Sequence, residues 1–399
     1  MTPPLSLAEA QAIVLDEADP LLGERVDLQD ANGRYASEAV VSRRTQPAAD
    51  MSAMDGYAMR GGDLAGPWRV VGESAAGRPY GGDLHQGEAV RISTGALMPA
   101  DAGAVLLQEN ARRDGEQLAL NGEGEPTTRH IRRAGFDFRA GDALIEAGTR
   151  IGPAQIALAM MGGHSQLAVH ALPALAVLDS GDELASDPAA CAAHQIPASN
   201  GAMLAAMAAP YARVVRRIGP VADQLDALLA AFEQAGEADV IVTSGGASVG
   251  EHDLIRPALE AWGATIGFWR VAIRPGKPLL VARKGRQWVI GLPGNPVSSY
   301  VTAFLFVLPL LRALAGAREP LPELFDMELL TDLPAGGDRL EFVRAHQVGG
   351  KVTPTNERDS SALRALSASN GLIRLEIGAP VARRGDKVGV YWLENGGIA

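Results

Sequence analysis

Between Pro173 and about Gly316, apolar runs alternate with helix-patterned segments, and few architectures satisfy that alternation. ALAVLD, RVVRRIG, DVIVT and QWVIG read as strands, with helices near 200–209, from Asp223 to Gln234 and from about 254. Strands and helices alternating at this spacing predict a parallel sheet joined by right-handed crossovers. In such a sheet a ligand lies beyond the carboxyl ends of the strands, where loops run into helix N-termini. Three loops occupy those positions: Ser180-Gly-Asp-Glu-Leu184, the stretch SGGASVGEHD after DVIVT, and LPGNPVSS after QWVIG.

The flanking segments have other patterns. Ser6-Leu-Ala-Glu9 is a capping box that predicts a helix to about Ala18. From Val40 to Ala134 short β-prone runs such as WRVVG and AVLLQEN are broken by Gly, Pro and Asp, which reads as a mostly β insertion. Helical patterning returns at Gly152-Pro153-AQIALAMMGG, with Pro153 suited to the first turn and Gly162 to the C-terminal cap. After Pro320 the period becomes two, as in LEFVRAHQV, GLIRLEIG and KVGVYWL, so a small all-β domain closes the chain. A length of 399 residues suits two to four such units.

Charge and composition exclude several functions. A formal net charge of −11, with no run of consecutive Lys or Arg, repels nucleic acid and anionic lipid, so neither is an expected partner. The single cysteine, Cys191, forms no internal disulfide, and no His/Cys cluster has zinc-ligand spacing. MTPPLSLAEAQ lacks the features of a signal peptide, and the apolar stretch Val301 to Leu311, interrupted by Pro309, is shorter than a bilayer span. A cytoplasmic protein is expected.

Chemistry can sit in the strand-end loops. In the second loop Gly245 and Gly246 let backbone approach a ligand, and the amides with Ser244 and Ser248 can form an anion-binding nest, although a plain strand-to-helix turn also carries Gly and Ser. In the third loop, Pro293-Gly294-Asn295 leads into a helix that includes Ser298; Asn295 is a good N-cap and the free amides face an anion, although Gly-Asn-Pro is also simply how a helix begins. FWRVAIRPGKP places Arg270, Arg274 and Lys277 in one segment stiffened by Pro275 and Gly276, either a pocket for an oxyanion or a solvated basic edge. Asp223 and Asp253 stand where helix N-caps belong, whereas Asp55, Asp137, Asp182 and Glu183 lie in glycine-containing turns and suit Mg²⁺.

PAADMSAMDGYAMR (47–60), RISTGALMP (91–99), IRRAGFDFRAGD (131–142), SGDEL (180–184), TSGGASVGEHD (243–253), RPGKP (274–278) and GLPGNPVSS (291–299) together resemble the molybdopterin molybdenumtransferase family, which includes bacterial MoeA and the C-terminal domain of gephyrin. Seven collinear motifs over nearly the whole chain make the resemblance specific. It implies an α/β and β multidomain protein: a discontinuous helical domain (1–40 and 135–172), a mostly β insertion (41–134), a central parallel α/β domain like molybdopterin adenylyltransferase (173–318) and a C-terminal β-barrel (319–399). It implies a homodimer whose cleft lies between the central domain of one subunit and the insertion of the other, and an encounter with molybdopterin adenylyltransferase. The implied reaction uses Mg²⁺, molybdate and adenylylated molybdopterin and releases AMP. The implied functional residues are Asp55, Thr94, Asp137, Glu183, Asp223 and Asp253, with Arg270, Arg274, Lys277 and Arg344 on oxyanions, and Glu183, Asp223 and Asp253 as metal ligands.

Departures from the family pattern are few. Arg270 and Arg274 stand where the family usually has lysine, in a chain with Lys277, Lys284, Lys351 and Lys387 as its only lysines. Asp179 replaces the usual Thr before Ser180, Ala198 replaces the usual Asp before Ser199-Asn200, and Asp101-Ala-Gly103 replaces Gly-Ala-Asp. They leave open a second reading, a catalytically impaired relative acting as a binding or scaffold protein. A third, adenylylation of molybdopterin itself, is disfavoured by RPGKP and the flanking domains.

Overall fold

The computed structural model describes residues 3–245 and 254–393. Helix α1 (Leu7–Asp16) opens on the expected capping box: Glu9 N–H donates to Ser6 Oγ at 3.2 Å and Ser6 N–H to the Glu9 carboxylate at 2.9 Å. It ends slightly before Ala18. Its buried stripe of Leu7, Ala10 and Val14 packs into the core of the central sheet, so the helix lies against that sheet rather than against residues 135–172. Leu5 anchors it there, donating to Arg270 O at 3.1 Å and accepting from Ala272 N–H at 2.8 Å.

Strand Gly23–Asp27 pairs antiparallel with Gln166–His170, and helix α2 (Pro153–Met161) begins on Pro153 and ends on Gly162. A six-stranded sheet, in the order 102–107, 56–60, 88–92, 68–74, 117–120, 111–114, forms the insertion around Tyr57, Met59, Trp68, Leu106 and Leu118.

The central sheet comprises β1 (Ala174–Ser180), β2 (Val214–Val221), β3 (Val240–Ser244), β4 (Thr265–Arg270), β5 (Pro278–Lys284) and β6 (Gln287–Leu292), in the order β2-β1-β3-β6-β5-β4. Helices α3 (Ser199–Ala208), α4 (Leu225–Gln234) and α5 (Ile255–Ala261) connect its strands, and α6 (Pro296–Leu314) follows β6. Every residue of β1 is buried, because its two faces serve two cores. Leu175 and Val177 join α3 and α6 on one side, while Ala176 and Leu178 join α4 and α5 on the other. Strands β2, β1, β3 and β6 are parallel, as expected, but β5 runs antiparallel to both β6 and β4. The turn at Gly285, with φ +62°, is too short for a crossover and folds β5 and β6 into a hairpin.

Pro309 does not break α6. Residues Ala303–Val307 form a π-helical turn upstream of it, and the Leu305 carbonyl, which Pro309 cannot serve, accepts from Gln11 Nε2 at 2.8 Å. The resulting 19-residue helix has the length and apolarity of a membrane span, yet 94% of its most apolar 18-residue stretch is buried within the fold's own core. Beyond it, β7 (Leu324–Leu329), β8 (Leu340–Val348), β9 (Lys351–Pro354), β10 (Gly371–Leu375) and β11 (Lys387–Trp392) close into a barrel, since β10 pairs with both β11 and β8. The short strand Ile273–Arg274 pairs with the start of β8 and ties the RPGKP segment to the barrel.

Candidate active site

Because β1, β3 and β6 are neighbours, the loops that follow them meet. Gly245 N–H donates to Leu292 O at 3.2 Å, and its φ of +99° is a conformation that glycine adopts without strain. A Cβ at Gly245 would lie 2.6 Å from Ser180 O, and one at Gly294 would lie 3.7 Å from the Gly245 Cα. Asn200, at the start of α3, donates from Nδ2 to Gly294 O at 2.7 Å. Ser180, Ser244-Gly245 and Pro293-Gly294-Asn295 are thus brought together. Ser180 Oγ and Thr243 Oγ1 are buried there with no partner among the described residues. Gly246, Ser248 and Asp253 lie outside the described residues.

The carboxylates at this end crowd one another. Asp223 is not a helix cap: α4 begins after Gln224, and Asp223 N–H donates to Asp182 Oδ1 at 3.1 Å. Partial burial, then the charges of Asp182 and Glu183, push the Asp223 carboxyl above the usual range. Among the described residues no three His, Cys, Asp or Glu side chains converge as a ready-made metal cage. Mg²⁺ is commonly held by one or two carboxylates, waters and phosphate oxygens, and the crowded, cation-poor pair Glu183 and Asp223 fits that mode.

A second cleft, of about 630 Å³, opens between the central sheet and the barrel. Arg274, Lys277, Arg339 and Arg358 line it with Ser298 and Ser360. Gly276, at φ +105°, packs against the Thr302 methyl of α6, which leaves no room for a side chain and fixes the backbone beside Lys277. Arg274 pairs with Glu341 at 3.4 Å. Partial burial lowers the pKa of Arg358, with Glu341 opposing and Arg274 adding to the effect. Arg270 lies over the Trp269 ring, 4.7 Å from its centroid.

Asn295 joins the two clefts. Its backbone opens α6, but its side chain does not cap the helix as expected. Instead Nδ2 donates to Ser360 Oγ at 3.0 Å, while Val297 N–H donates to Ser360 O at 3.0 Å. The sequence reading missed Arg358 and Ser360, which sit between the barrel strands in RDSSAL with neither glycine patterning nor periodicity to mark them. Arg344, expected on an oxyanion, bonds to backbone carbonyls of the loop beside this cleft. It is 4% exposed, and its guanidinium donates to Ala362 O at 3.0 Å, Glu357 O at 2.7 Å and Asp359 O at 2.9 Å. It holds the loop that carries Arg358 and Ser360.

Asp55, Thr94 and Asp137 belong to a different region. Asp55 Oδ1 accepts from Thr94 N–H at 2.6 Å and from Thr94 Oγ1 at 3.0 Å, bonds that hold its carboxyl below the usual range. Asp137 is exposed on the segment returning from the insertion, its N–H donating to Gln46 O at 3.0 Å. Within one chain the contacts of these residues stay in the insertion and its borders.

Three family models match in order: MoeA N-terminal region (domain I and II) at residues 5–163, probable molybdopterin binding domain at 176–313, and MoeA C-terminal region (domain IV) at 326–393. A molybdopterin molybdenumtransferase of Haemophilus influenzae is 34% identical over 85% of this chain and 85% of its own length. One from Bacillus subtilis is 32% identical over 94% of this chain and 91% of its own. The crystal structure of a molybdopterin biosynthesis moeA protein from Pyrococcus horikoshii matches the fold with a TM-score of 0.84, covering 98% of this chain and 100% of that one at 24% identity. Collinear motifs, paired clefts and full-length likeness agree: the chain belongs to the molybdopterin molybdenumtransferase family, a family of enzymes.

Proposed function

We propose that this chain inserts molybdenum from molybdate into adenylylated molybdopterin, with Mg²⁺ and with release of AMP. The observation that carries the reading is the junction at Asn295, where a glycine-walled loop cluster with carboxylates beside it meets a cleft lined by four cations. Splitting a pyrophosphate requires close backbone approach to phosphate and neutralisation of the charge on the leaving group. Gly245 and Gly294 admit the phosphates, and Ser244 borders them. Arg274, Lys277 and Arg358 hold the molybdate oxygens, Arg as a fork and Lys as a point charge. Glu183 and Asp223 would hold Mg²⁺, which when bound neutralises phosphate charge.

The reading includes a homodimer. Asp55 and Thr94 make no contribution to the loop cluster of their own chain, so we assign them, with Asp137, to the cleft of a second subunit. The test is AMP release from adenylylated molybdopterin by purified protein, with and without molybdate and Mg²⁺. Molybdate-dependent AMP is expected. A folded dimer that releases none refutes the proposal.

A further inference from the structure

At one end of the insertion's sheet, polar groups stand close together with bonding capacity unused. Strand Gly56–Arg60 pairs antiparallel with Glu88–Ile92, and Tyr57 stands opposite Arg91. Past these strand ends, residues 51–55 and 94–97 run side by side. Met51 bridges to Leu97, Ser52 bonds through its backbone to Gly95 and Ala96, and Asp55 Oδ1 accepts both bonds from Thr94. Oδ2 of this exposed carboxylate is left without a partner among the described residues.

Arg91 is fixed nearby through Gln108. Its Nη2 donates to Gln108 Oε1 at 2.9 Å, its guanidinium lies over the Tyr57 ring at 5.4 Å from the centroid, and Gln108 N–H donates to Asp55 O at 3.1 Å. Nε and Nη1 of Arg91 make no hydrogen bond among the described residues. One acceptor and one donor are thereby held at neighbouring strand ends. Met54, 41% exposed, and Leu97, 38% exposed, belong to the same strip, where a thioether and an isobutyl group offer contact to the face of a flat ring. Apolar contact for a face, with an acceptor and a donor for an edge, is what a nitrogen heterocycle requires of its site.

We propose that this strip binds a heterocycle of the substrate, with Asp55 Oδ2 accepting from a ring or amino N–H and Arg91 donating to the adjoining oxo group or ring nitrogen. Arg91 is then a substrate-binding residue of the insertion, and Met54 and Leu97 lie against the ring. The inference rests on the proposed substrate and on the assignment of the insertion to a second subunit's cleft. Adenylylated molybdopterin carries two rings of this kind, a pterin with an amide edge and an adenine with an amino group next to a ring nitrogen. Both present a donor adjoining an acceptor.

The test titrates the purified protein with pterin, followed by its fluorescence, and with adenosine, followed by calorimetry, for wild type, Arg91→Met, Arg91→Lys and Met54→Ser. Methionine keeps an apolar stem over Tyr57 and removes every donor. Arg91→Met is expected to weaken ring binding at least about fivefold, Arg91→Lys to recover part of the loss, and Met54→Ser, which leaves the polar groups intact, to weaken it about two- to threefold. The ring that responds identifies which end of the substrate the insertion holds. Arg91→Met should also raise KM for adenylylated molybdopterin about fivefold or more while kcat stays within about twofold. Failure of both rings to bind the wild type, equal binding by wild type and Arg91→Met, or binding unchanged in both Arg91→Lys and Met54→Ser overturns the proposal. Ring binding needs no turnover. A wild type that binds a ring through Arg91 yet releases no AMP refutes the reaction and leaves the strip, whereas AMP release with ring binding indifferent to Arg91 does the reverse.

Discussion

Gly245→Ala is the sharpest perturbation of the loop cluster, because two costs can be separated within one sheet. The first is backbone strain: at φ +99° an alanine costs about 1–2 kcal/mol relative to glycine. The second is space, since the new Cβ would stand 2.6 Å from Ser180 O, and that acceptor is main chain at the end of a fully buried strand. Relieving the overlap moves β1 and β3 apart at their carboxyl ends, at a further cost of about 1–3 kcal/mol. Gly285→Ala supplies the control: its φ is +62°, nothing lies within 4 Å of its Cβ position, and it sits in the hairpin at the other end of the sheet. Urea melts followed by the fluorescence of Trp262, Trp269 and Trp288 should therefore show a loss of about 1–2 kcal/mol for Gly285→Ala and about 2–5 kcal/mol for Gly245→Ala. AMP release should survive the first substitution and fall at least about tenfold with the second. Equal destabilisation by the two, or full turnover in Gly245→Ala, would refute the claim that β1, β3 and β6 are held together by backbone contact at this glycine.

Arg344→Lys should destabilise the barrel by about 2–4 kcal/mol, because one ammonium cannot serve three buried carbonyls; proteolysis should then begin in 357–362. Asp50 accepts from Ala134 N–H at 2.9 Å and Arg133 Nη1 at 2.5 Å, and these contacts hold its carboxyl low. Its contribution is therefore present above the ordinary value of 3.8 and lost as pH falls through the lower folded value, so Asp50→Asn should lower stability by a constant amount at neutral and alkaline pH and flatten the acid limb of a stability profile, as thermal melts across pH would show. Arg270→Lys with Arg274→Lys should alter stability by less than about 1 kcal/mol, since the Arg274 side chain is more than half exposed and lysine keeps the charge opposite Glu341, and turnover should stay within about threefold. Under the scaffold reading turnover is zero and stays zero on reversion, so a gain of turnover would remove that reading.

What the sequence made legible is what periodicity and caps encode. Alternation placed β1, β3 and β6 and, through them, the three loops; the capping box and Pro153 located two helix starts to the residue. The sequence reading did not pick out β5, whose apolar run PLLVA directly follows the RPGK segment, and its antiparallel direction is set by the short turn at Gly285. The backbone partners of Arg344 were not legible, because an arginine in a β-barrel strand has the same letter whether or not it faces three carbonyls. Asn295 likewise had the composition of a cap, but a barrel residue sixty-five positions away claimed its amide. Local signals fix elements, whereas the partner of a polar side chain is decided by which distant segment packs beside it.

The helix α6 gives the two clefts a common frame. Asn295, at its start, borders the glycine-walled loops; Ser298 lines the basic cleft, and Thr302 seats Gly276 of the RPGKP segment. From Pro296 to Thr302 the helix rises only about 9 Å. That stretch lies within a buried core helix, so the spacing between the Gly294 loop and the backbone beside Lys277 is set by a rigid core element. Gln11 extends the frame, since its bond to Leu305 O lets the helix pass Pro309 without a free carbonyl and ties it to α1. A chain of net charge −11 can therefore present four cations in one place at a fixed offset from the Gly294 loop, with Glu341 and Asp359 in the same lining moderating the local positive charge.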